Sequence, residues 1–196
     1  MIDAKMVGQL RETTGAGMMA AKKALTEANG DMAAASEILR KSGAAKAAKR
    51  AGRSTGEGLV YSYIHGNGKL GVLLELQCET DFVARNEDFK ELARQIAMQV
   101  AATDPQYVDA ASIPGEVTDK MRAEFVAEAA GKPAEVAEKI VGGKIEKWMS
   151  EAALLKQPFV MDEEKTVEQV VTDAVAKLGE NIRVSRFARF NIQGGM

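Results

Sequence analysis

Apolar residues recur along the chain with two different periods, and each period predicts one kind of element. In about the first fifty residues the spacing alternates between three and four, which predicts three short helices. The pattern breaks at residues 13–17, at Asn29-Gly30 and at Gly43, where we expect the third helix to end. Alanine at the helix crossings allows close packing, so this segment is predicted to form a small bundle of a size that suits docking.

The second period is the alternation typical of strands. Residues 57–64 and 69–79 alternate on either side of the turn His65-Gly66-Asn67-Gly68, which predicts a hairpin. A third alternating stretch, residues 182–192, is expected to complete a three-stranded antiparallel sheet. Helical spacing returns at residues 87–102, 118–130, 133–155 and 166–178. Residues 157–160 read as an extended link, and Glu163-Glu164 as the solvated start of the last helix.

The predicted fold class is therefore α+β. An N-terminal three-helix bundle is followed by a core in which a small three-stranded antiparallel sheet packs with helices. We place the domain boundary near residue 56, with a docking domain and its basic linker at residues 1–55 and the core domain at residues 56–196.

Composition narrows the class of protein. The 196 residues carry 26 Lys and Arg against 28 Asp and Glu, so the chain as a whole is not a polycation that binds nucleic acid. No apolar run is long enough to cross a bilayer or to serve as a signal segment, and we expect a soluble cytoplasmic protein. The single cysteine, Cys78, lies on the apolar face of its strand; a buried thiol is favoured, and a bridge between two chains stays open.

Residues 41–55 carry five basic side chains and no acidic one. They fit either an arm that contacts phosphates or a solvated helical linker. We favour the linker, because no aromatic residues are interleaved for stacking on bases.

Catalytic patterns are not found in the sequence. The pair Gly15 and Gly17 follows a helix rather than a strand and lacks the third glycine of a dinucleotide-binding turn. His65 stands alone beside a turn, and there is no cluster of cysteine or histidine. We therefore expect a protein that is not an enzyme and that uses no metal or cofactor of its own.

Two apolar sites, Phe82 and the pair Met18-Met19, are candidates for partner binding. Phe82 follows the most apolar strand, where it either packs under the next helix as a staple or protrudes as a wedge; from the residues alone we favour the staple. Met18 and Met19 begin the second helix side by side, so both cannot face the bundle interior. They either contact a partner or cover the loop before them.

Two long motifs resemble the signatures of the bacterial elongation factor Ts family. The first is Leu-Arg-Glu-Thr-Thr-Gly-Ala-Gly-Met-Met-Ala-Ala-Lys-Lys-Ala-Leu at residues 10–25, and the second is Glu-Leu-Gln-Cys-Glu-Thr-Asp-Phe-Val-Ala-Arg at residues 75–85. Residues 63–67, 155–160 and 186–190 fit as well, so the resemblance spans nearly the whole chain. Gln77 stands where the family usually has Asn, and Gly142-Gly143 replaces a pair whose first member is more often charged.

The resemblance implies a guanine-nucleotide exchange factor that acts on elongation factor Tu during translation elongation. The N-terminal bundle would be of the ubiquitin-associated type. Phe82 would be a wedge that disturbs the site holding Mg²⁺ and the phosphates in the partner, with Asp81 as a polar anchor and with Thr80 and Val83 setting their direction. Exchange of this kind needs no covalent chemistry in this chain.

The resemblance also implies a docking motif in the N-terminal domain. Its members are Arg11, Met18, Met19, Lys22 and Lys23. The partner would be elongation factor Tu in its GDP-bound and nucleotide-free states, with no membrane and no direct nucleic-acid binding. A nucleic-acid-binding adaptor that uses the basic linker and a purely structural scaffold are the competing classes.

Only one set of strands is visible, which matches the short form of the family. Apolar residues such as Leu73 and Phe187 are predicted on the second face of the sheet, which leaves that face uncovered. We therefore expect the core domain to form a homodimer.

Overall fold

The structure is a computed structural model that describes residues 2–66 and 68–192. Eight α-helices are found in these residues: α1 (Ala4–Thr14), α2 (Met18–Glu27), α3 (Met32–Arg50), α4 (Asp81–Ala84), α5 (Glu87–Thr103), α6 (Gly115–Glu128), α7 (Ala134–Ala152) and α8 (Val167–Leu178). The strands are β1 (Glu57–His65), β2 (Leu70–Cys78), β3 (Pro158–Phe159), β4 (Asp162–Thr166) and β5 (Arg183–Asn191). Short 3-10 helices lie at Ala110–Ser112 and Leu154–Lys156. The predicted α+β class is confirmed.

The chain divides into two compact units. The first unit comprises the N-terminal residues as far as Leu59, together with Leu76–Leu92 and Gln169–Arg183. The second comprises Val60–Glu75, Ala93–Glu168 and the segment that begins at Val184. Over the residues described, no helix is both long and apolar enough to cross a membrane.

The first unit contains the predicted N-terminal bundle. Side-chain caps begin two of its helices: Asp3 accepts a hydrogen bond from the Met6 amide at 2.8 Å, and Asp31 accepts one from the Ala34 amide at 3.0 Å. Gly15 ends α1 in the left-handed conformation, with φ at 67°. The apolar faces of the three helices meet in a core formed by Val7, Leu10, Ala21, Ala24, Leu25 and Ala35.

The prediction that the third helix ends at Gly43 is wrong, because α3 continues to Arg50. A single glycine costs a helix only about 1 kcal/mol relative to alanine, and the residues after it are mainly Ala and Lys, which favour helix. Gly43 also has a packing role. A Cβ at this position would lie 3.2 Å from the Cβ of Ala176, so the absence of a side chain lets α8 approach.

The three-stranded antiparallel sheet has the order β1-β2-β5. Its alternation follows the prediction, because Val72, Leu74, Leu76 and Cys78 of β2 are all buried on one face. The other face is exposed and includes Leu73. The expectation that Phe187 shares the face of Leu73 is wrong. The neighbouring Arg186 bonds Glu75 on that face at 2.6 Å, and alternation then turns Phe187 to the opposite one.

Helices α6 and α7 of the second unit pack on each other through Ala129, Val141 and Ile145. The unit also contains a two-stranded antiparallel sheet, β3 with β4, that the sequence reading missed. The extended link and the solvated helix start were predicted for these residues. The second of these expectations is wrong, because Glu163 and Glu164 lie within β4.

Candidate partner-binding site

The polypeptide turns sharply after β2. The Cys78 thiol is buried and donates a hydrogen bond to the Thr80 carbonyl oxygen at 3.2 Å. Burial raises the pKa of this thiol to about 11, so it stays a neutral donor at physiological pH. The Ala84 amide donates to the same Thr80 carbonyl at 3.2 Å, which begins the one-turn helix α4. The Thr80 carbonyl therefore links the end of the strand to the helix.

Phe82 occupies the outer side of α4 and is 81 % exposed. Ala84, on the inner side, is buried, and Val83 is half-buried. A ring that stapled the start of α5 would be covered by that helix, so the staple interpretation is wrong for Phe82. The ring is therefore free to contact another molecule, and the backbone that carries it is held by several hydrogen bonds.

Asp81 lies beside the ring, and its carboxylate contacts the Arg85 guanidinium at 3.0 Å. The Asp81 and Arg85 side chains are 45 % and 80 % exposed, so the pair contributes at most about 1 kcal/mol to stability. The Asp81 carboxylate can therefore exchange this contact for one with a partner at little cost.

Two carboxylates from distant parts of the chain fix the start of the loop. Glu180, 100 residues after Thr80, accepts hydrogen bonds from the Thr80 amide at 3.0 Å and from the Thr80 hydroxyl at 2.6 Å. Glu79 accepts a hydrogen bond from the Asn181 amide at 2.6 Å. That bond, aided by the Arg53 guanidinium at 3.4 Å, holds the pKa of Glu79 below its usual value.

Sequence reasoning singled out Thr80, Asp81, Phe82 and Val83 but missed Glu180 and Asn181. Their role depends on a contact between segments far apart in sequence, and no local pattern indicates it. The one available signal was a polar Glu-Asn pair between a helix end and a strand, where solvated turns are common.

The predicted docking residues lie on α1 and α2 of the same unit. Arg11, Met18 and Lys22 come together in a groove of about 310 Å³, which is also lined by Ile2, Asp3, Ala4, Val7 and Gly8. Met19 and Lys23 are not part of this lining. Met19 is 78 % exposed, and Lys23 pairs weakly with Glu27 at 3.8 Å.

The loop between α1 and α2 is tied to the remainder of its unit. The Arg11 guanidinium donates to the Ala16 carbonyl at 3.3 Å, which fixes the loop against α1. The Lys177 side chain passes 3.5 Å from the position a Gly15 Cβ would take, and its ammonium contacts Asp88 at 2.8 Å. The docking motif and the Phe82 loop are therefore parts of one compact unit.

Four of the five basic residues of segment 41–55 lie in α3, which continues to Arg50, so most of this segment is helical, as the linker interpretation expects. Some of their charge is also neutralised within the chain. Lys41 lies 3.5 Å from Glu37, and Arg53 contacts Glu79. This pairing weakens the case for an arm that contacts phosphates.

In the second unit, the exposed face of the sheet is rich in large apolar side chains. Its exposed members are Val60, Ile64, Leu73, Phe190 and Ile192. A depression of about 400 Å³ on this face is lined by Ile64, Gly68, Lys69, Gly71, Val72, Leu73, Phe190 and Ile192. We call this surface the open sheet face.

Comparison with known proteins identifies the family. A family model described as elongation factor TS matches residues 19–193. The chain belongs to the elongation factor Ts family. Three relatives named elongation factor Ts illustrate how far the likeness extends. The relative from Thermosipho melanesiensis is 54 % identical over 98 % of this chain and 99 % of its own length. Those from Fervidobacterium nodosum and Thermotoga maritima are 54 % and 52 % identical over 97 % and 99 % of this chain, and each is covered over 98 % of its length.

Membership of the elongation factor Ts family makes this chain a translation elongation factor. The family model begins at Met19, so it does not include Arg11 or Met18. The full-length relatives do extend across the N-terminal helix, since 98 % of the chain is aligned with the first of them.

Proposed function

We propose that this protein is a guanine-nucleotide exchange factor for elongation factor Tu, and that it binds the GDP-bound factor and releases GDP. The observation that carries the proposal is Phe82, an aromatic ring 81 % exposed on a loop that hydrogen bonds hold in place. Family membership supplies the partner. Because exchange makes and breaks no covalent bond, no catalytic residue is needed in this chain. A cytoplasmic location follows from this role in translation.

The mechanism rests on differential binding. A nucleoside diphosphate such as GDP is held in a GTP-binding protein largely by charge-assisted contacts to its phosphates and by a bridging Mg²⁺. A ring inserted beside that site displaces the ligands of the metal and weakens a large part of the binding free energy. Phe82 then stabilises the distorted state, and Asp81 beside it provides a polar contact to the partner. If this protein lowers the affinity of elongation factor Tu for GDP by some factor, linkage requires that bound GDP lower the affinity of elongation factor Tu for this protein by the same factor.

Residues 1–55 would act as the docking domain, through Arg11, Met18, Met19, Lys22 and Lys23. The exposure of both methionines supports this role, because methionine adapts to irregular apolar surfaces. Calorimetric titration with elongation factor Tu tests it. Met19→Ala is expected to weaken binding, whereas Met161→Ala, which truncates a methionine 51 % exposed in the second unit, is the matched control. Equal affinity for Met19→Ala and the wild type would remove Met19 from the interface.

The open sheet face supports a homodimer in which a second copy covers it. Its large apolar side chains are exposed in one chain, and Arg186 and Glu75, a charged pair that bonds across strands on this face, neutralise each other. A two-fold axis would place the same apolar patch of both copies in one interface and remove both from water. Light scattering at micromolar concentration is expected to give the mass of a dimer, and Phe190→Asp the mass of a monomer. A monomeric wild type would contradict the proposal.

The exchange function is tested by release of a fluorescent GDP analogue from purified elongation factor Tu. Catalytic amounts of this protein are expected to accelerate release. Unchanged release, together with salt-sensitive retention on RNA, would contradict the proposal and favour a nucleic-acid-binding adaptor.

A further inference from the structure

Glu180 lies in the connector between α8 and β5. Gly179 ends α8 with φ at 82°, and its amide donates to the Val175 carbonyl at 3.0 Å. The chain then enters β5 at Arg183, so the connector is only a few residues long and is fixed at both ends. The Glu180 side chain therefore starts from a well-defined backbone position.

Three hydrogen bonds join the Glu180 carboxylate to the loop that precedes Phe82. One oxygen accepts from the Glu79 amide at 3.1 Å and from the Thr80 amide at 3.0 Å. The other accepts from the Thr80 hydroxyl at 2.6 Å. Hydrogen bonds to a charged acceptor contribute more than neutral ones, and two of these donors are backbone groups whose positions set the direction of the chain.

The connection is reciprocal. Glu79 accepts from the Asn181 amide at 2.6 Å, and the Asn181 side chain donates to the Arg53 carbonyl at 2.8 Å. Each segment therefore uses a carboxylate to bind the backbone of the other. The loop at Glu79 and Thr80 is therefore joined to the connector at two of its residues, Glu180 and Asn181.

Helix α4 cannot fix its own orientation. It contains 4 residues, and its ion pair between Asp81 and Arg85 lies within its own turn, so that pair does not attach it to the remainder of the unit. A helix of one turn is unstable alone, since nucleation is the costly step. Its direction is set by the buried Ala84 on its inner side, by the Cys78 thiol on the Thr80 carbonyl, and by the residues that lead into it, which Glu180 holds.

We propose that Glu180 is a positioning residue for exchange: its carboxylate holds Glu79 and Thr80 so that α4 presents Phe82 to the nucleotide site of the partner. This inference rests on the proposed function. Without the carboxylate, the loop populates other orientations, and activity falls in proportion to the fraction that remains competent.

Glu180→Ala, Glu180→Gln and Asp88→Ala form the test set. The glutamine can keep all three bonds, because its oxygen accepts from the two amides and its amino group donates to the Thr80 hydroxyl. Asp88→Ala is the matched control, since it breaks a 2.8 Å contact with Lys177 of α8 without touching the loop. If Glu180→Ala does not fold, Glu180→Asp, whose carboxylate is one methylene too short, replaces it under the same criteria.

Hydrogen exchange of the free protein provides a readout that needs no partner. The Glu79 and Thr80 amides are expected to lose protection in Glu180→Ala, and to keep it in Glu180→Gln and in Asp88→Ala. Retained protection in Glu180→Ala would overturn the proposal.

GDP release from elongation factor Tu provides the second readout. Glu180→Ala is expected to lower stimulated release about tenfold, which corresponds to a competent orientation populated about a tenth of the time. Glu180→Gln should stay within about threefold of the wild type. In a Phe82→Ala background, Glu180→Ala should have almost no further effect, because the ring it positions is gone.

The outcomes separate the two claims. If Phe82→Ala leaves release unchanged, the proposed wedge mechanism fails, and this inference fails with it. If Phe82→Ala lowers release but Glu180→Ala does not, only the positioning role fails. An equal effect of Glu180→Ala with and without the ring would also overturn it, since Glu180 would then act by another route.

Discussion

Truncating Phe82 to alanine separates a residue that serves a partner from one that serves the fold. Phe82 is 81 % exposed, so its removal deletes few contacts within the chain. Surface substitutions of this kind change the free energy of unfolding by about 0.5 kcal/mol or less. Phe89 is the matched control, because it is 0 % exposed at the start of α5. Phe89→Ala should lower the free energy of unfolding by about 3–5 kcal/mol.

The effect on exchange follows from the area that the ring can bury. A phenylalanine side chain offers roughly 200 Å². With 81 % of the residue exposed, about 160 Å² is free for a partner. At about 25 cal/mol per Å² this corresponds to an upper limit of about 4 kcal/mol. A residue that acts as a hot spot of an interface contributes at least about 2 kcal/mol, and for Phe82 in that role stimulated GDP release should fall about 30-fold or more.

Two assays check this prediction. Urea unfolding gives the stability of both variants, and release of a fluorescent GDP analogue from elongation factor Tu gives their activity per folded molecule. We expect Phe82→Ala to be stable and inactive, and the residual folded fraction of Phe89→Ala to be active. A Phe82→Ala variant that unfolds readily yet exchanges normally would refute the reasoning, because the ring would then belong to the core.

Three further predictions concern the fold that supports the site. Gly58→Ala should destabilise the protein by about 2 kcal/mol in urea unfolding, because its Cβ would collide with the Leu76 carbonyl oxygen; Gly52→Ala, with nothing within 4 Å, is the control. Gln99→Leu should lower the free energy of unfolding by about 1–3 kcal/mol in the same assay. The Gln99 side-chain oxygen accepts a hydrogen bond from the Val160 amide at 2.8 Å, and its amino group donates to the Gln157 side-chain oxygen at 3.0 Å. The control Gln106→Leu, at an exposed site, should change the free energy of unfolding little. Because the folded-state pKa of Glu79 is lowered, its contribution is present above the unfolded pKa of about 4.3 and is lost as the pH falls through the folded value. The stability difference between wild type and Glu79→Gln should therefore shrink below about pH 4, and a difference that grows there would contradict this sign.

Much of the architecture could be predicted because it follows from local periodicity. The alternation at residues 69–79 predicted a strand, and Val72, Leu74 and Leu76 are buried on one face of β2. Gly43 misled the prediction, because its consequence for α3 depends on contact with Ala176 of α8. A propensity rule describes the isolated helix, whereas tertiary packing decides whether the helix continues.

The small β3–β4 sheet could not be predicted for a related reason. Its first strand is 2 residues long, so no alternation can be observed, and its second strand is charged. Side-chain bonds to the backbone hold it instead. Gln99 accepts from the Val160 amide and donates to the Pro158 carbonyl at 3.1 Å. These partners are separated by about sixty positions in the sequence.

The candidate site likewise has a part that a local motif predicts and a part that depends on contacts between distant segments. Phe82 and its neighbours were identified from a motif, and exposure of the ring decided between the staple and the wedge. The motif itself gave no information about Glu180, because a hydrogen bond between segments 100 residues apart leaves no local pattern.

The magnesium dependence of exchange tests the central claim most directly. GDP release from elongation factor Tu is measured with the wild type and with Phe82→Ala, at millimolar Mg²⁺ and again with excess chelator. If the ring acts by disturbing the metal-phosphate site, the ratio of the GDP release rate with wild type to the rate with Phe82→Ala is large with Mg²⁺. That ratio falls towards one when the metal is removed. An advantage that is unchanged by removal of the metal would contradict the account.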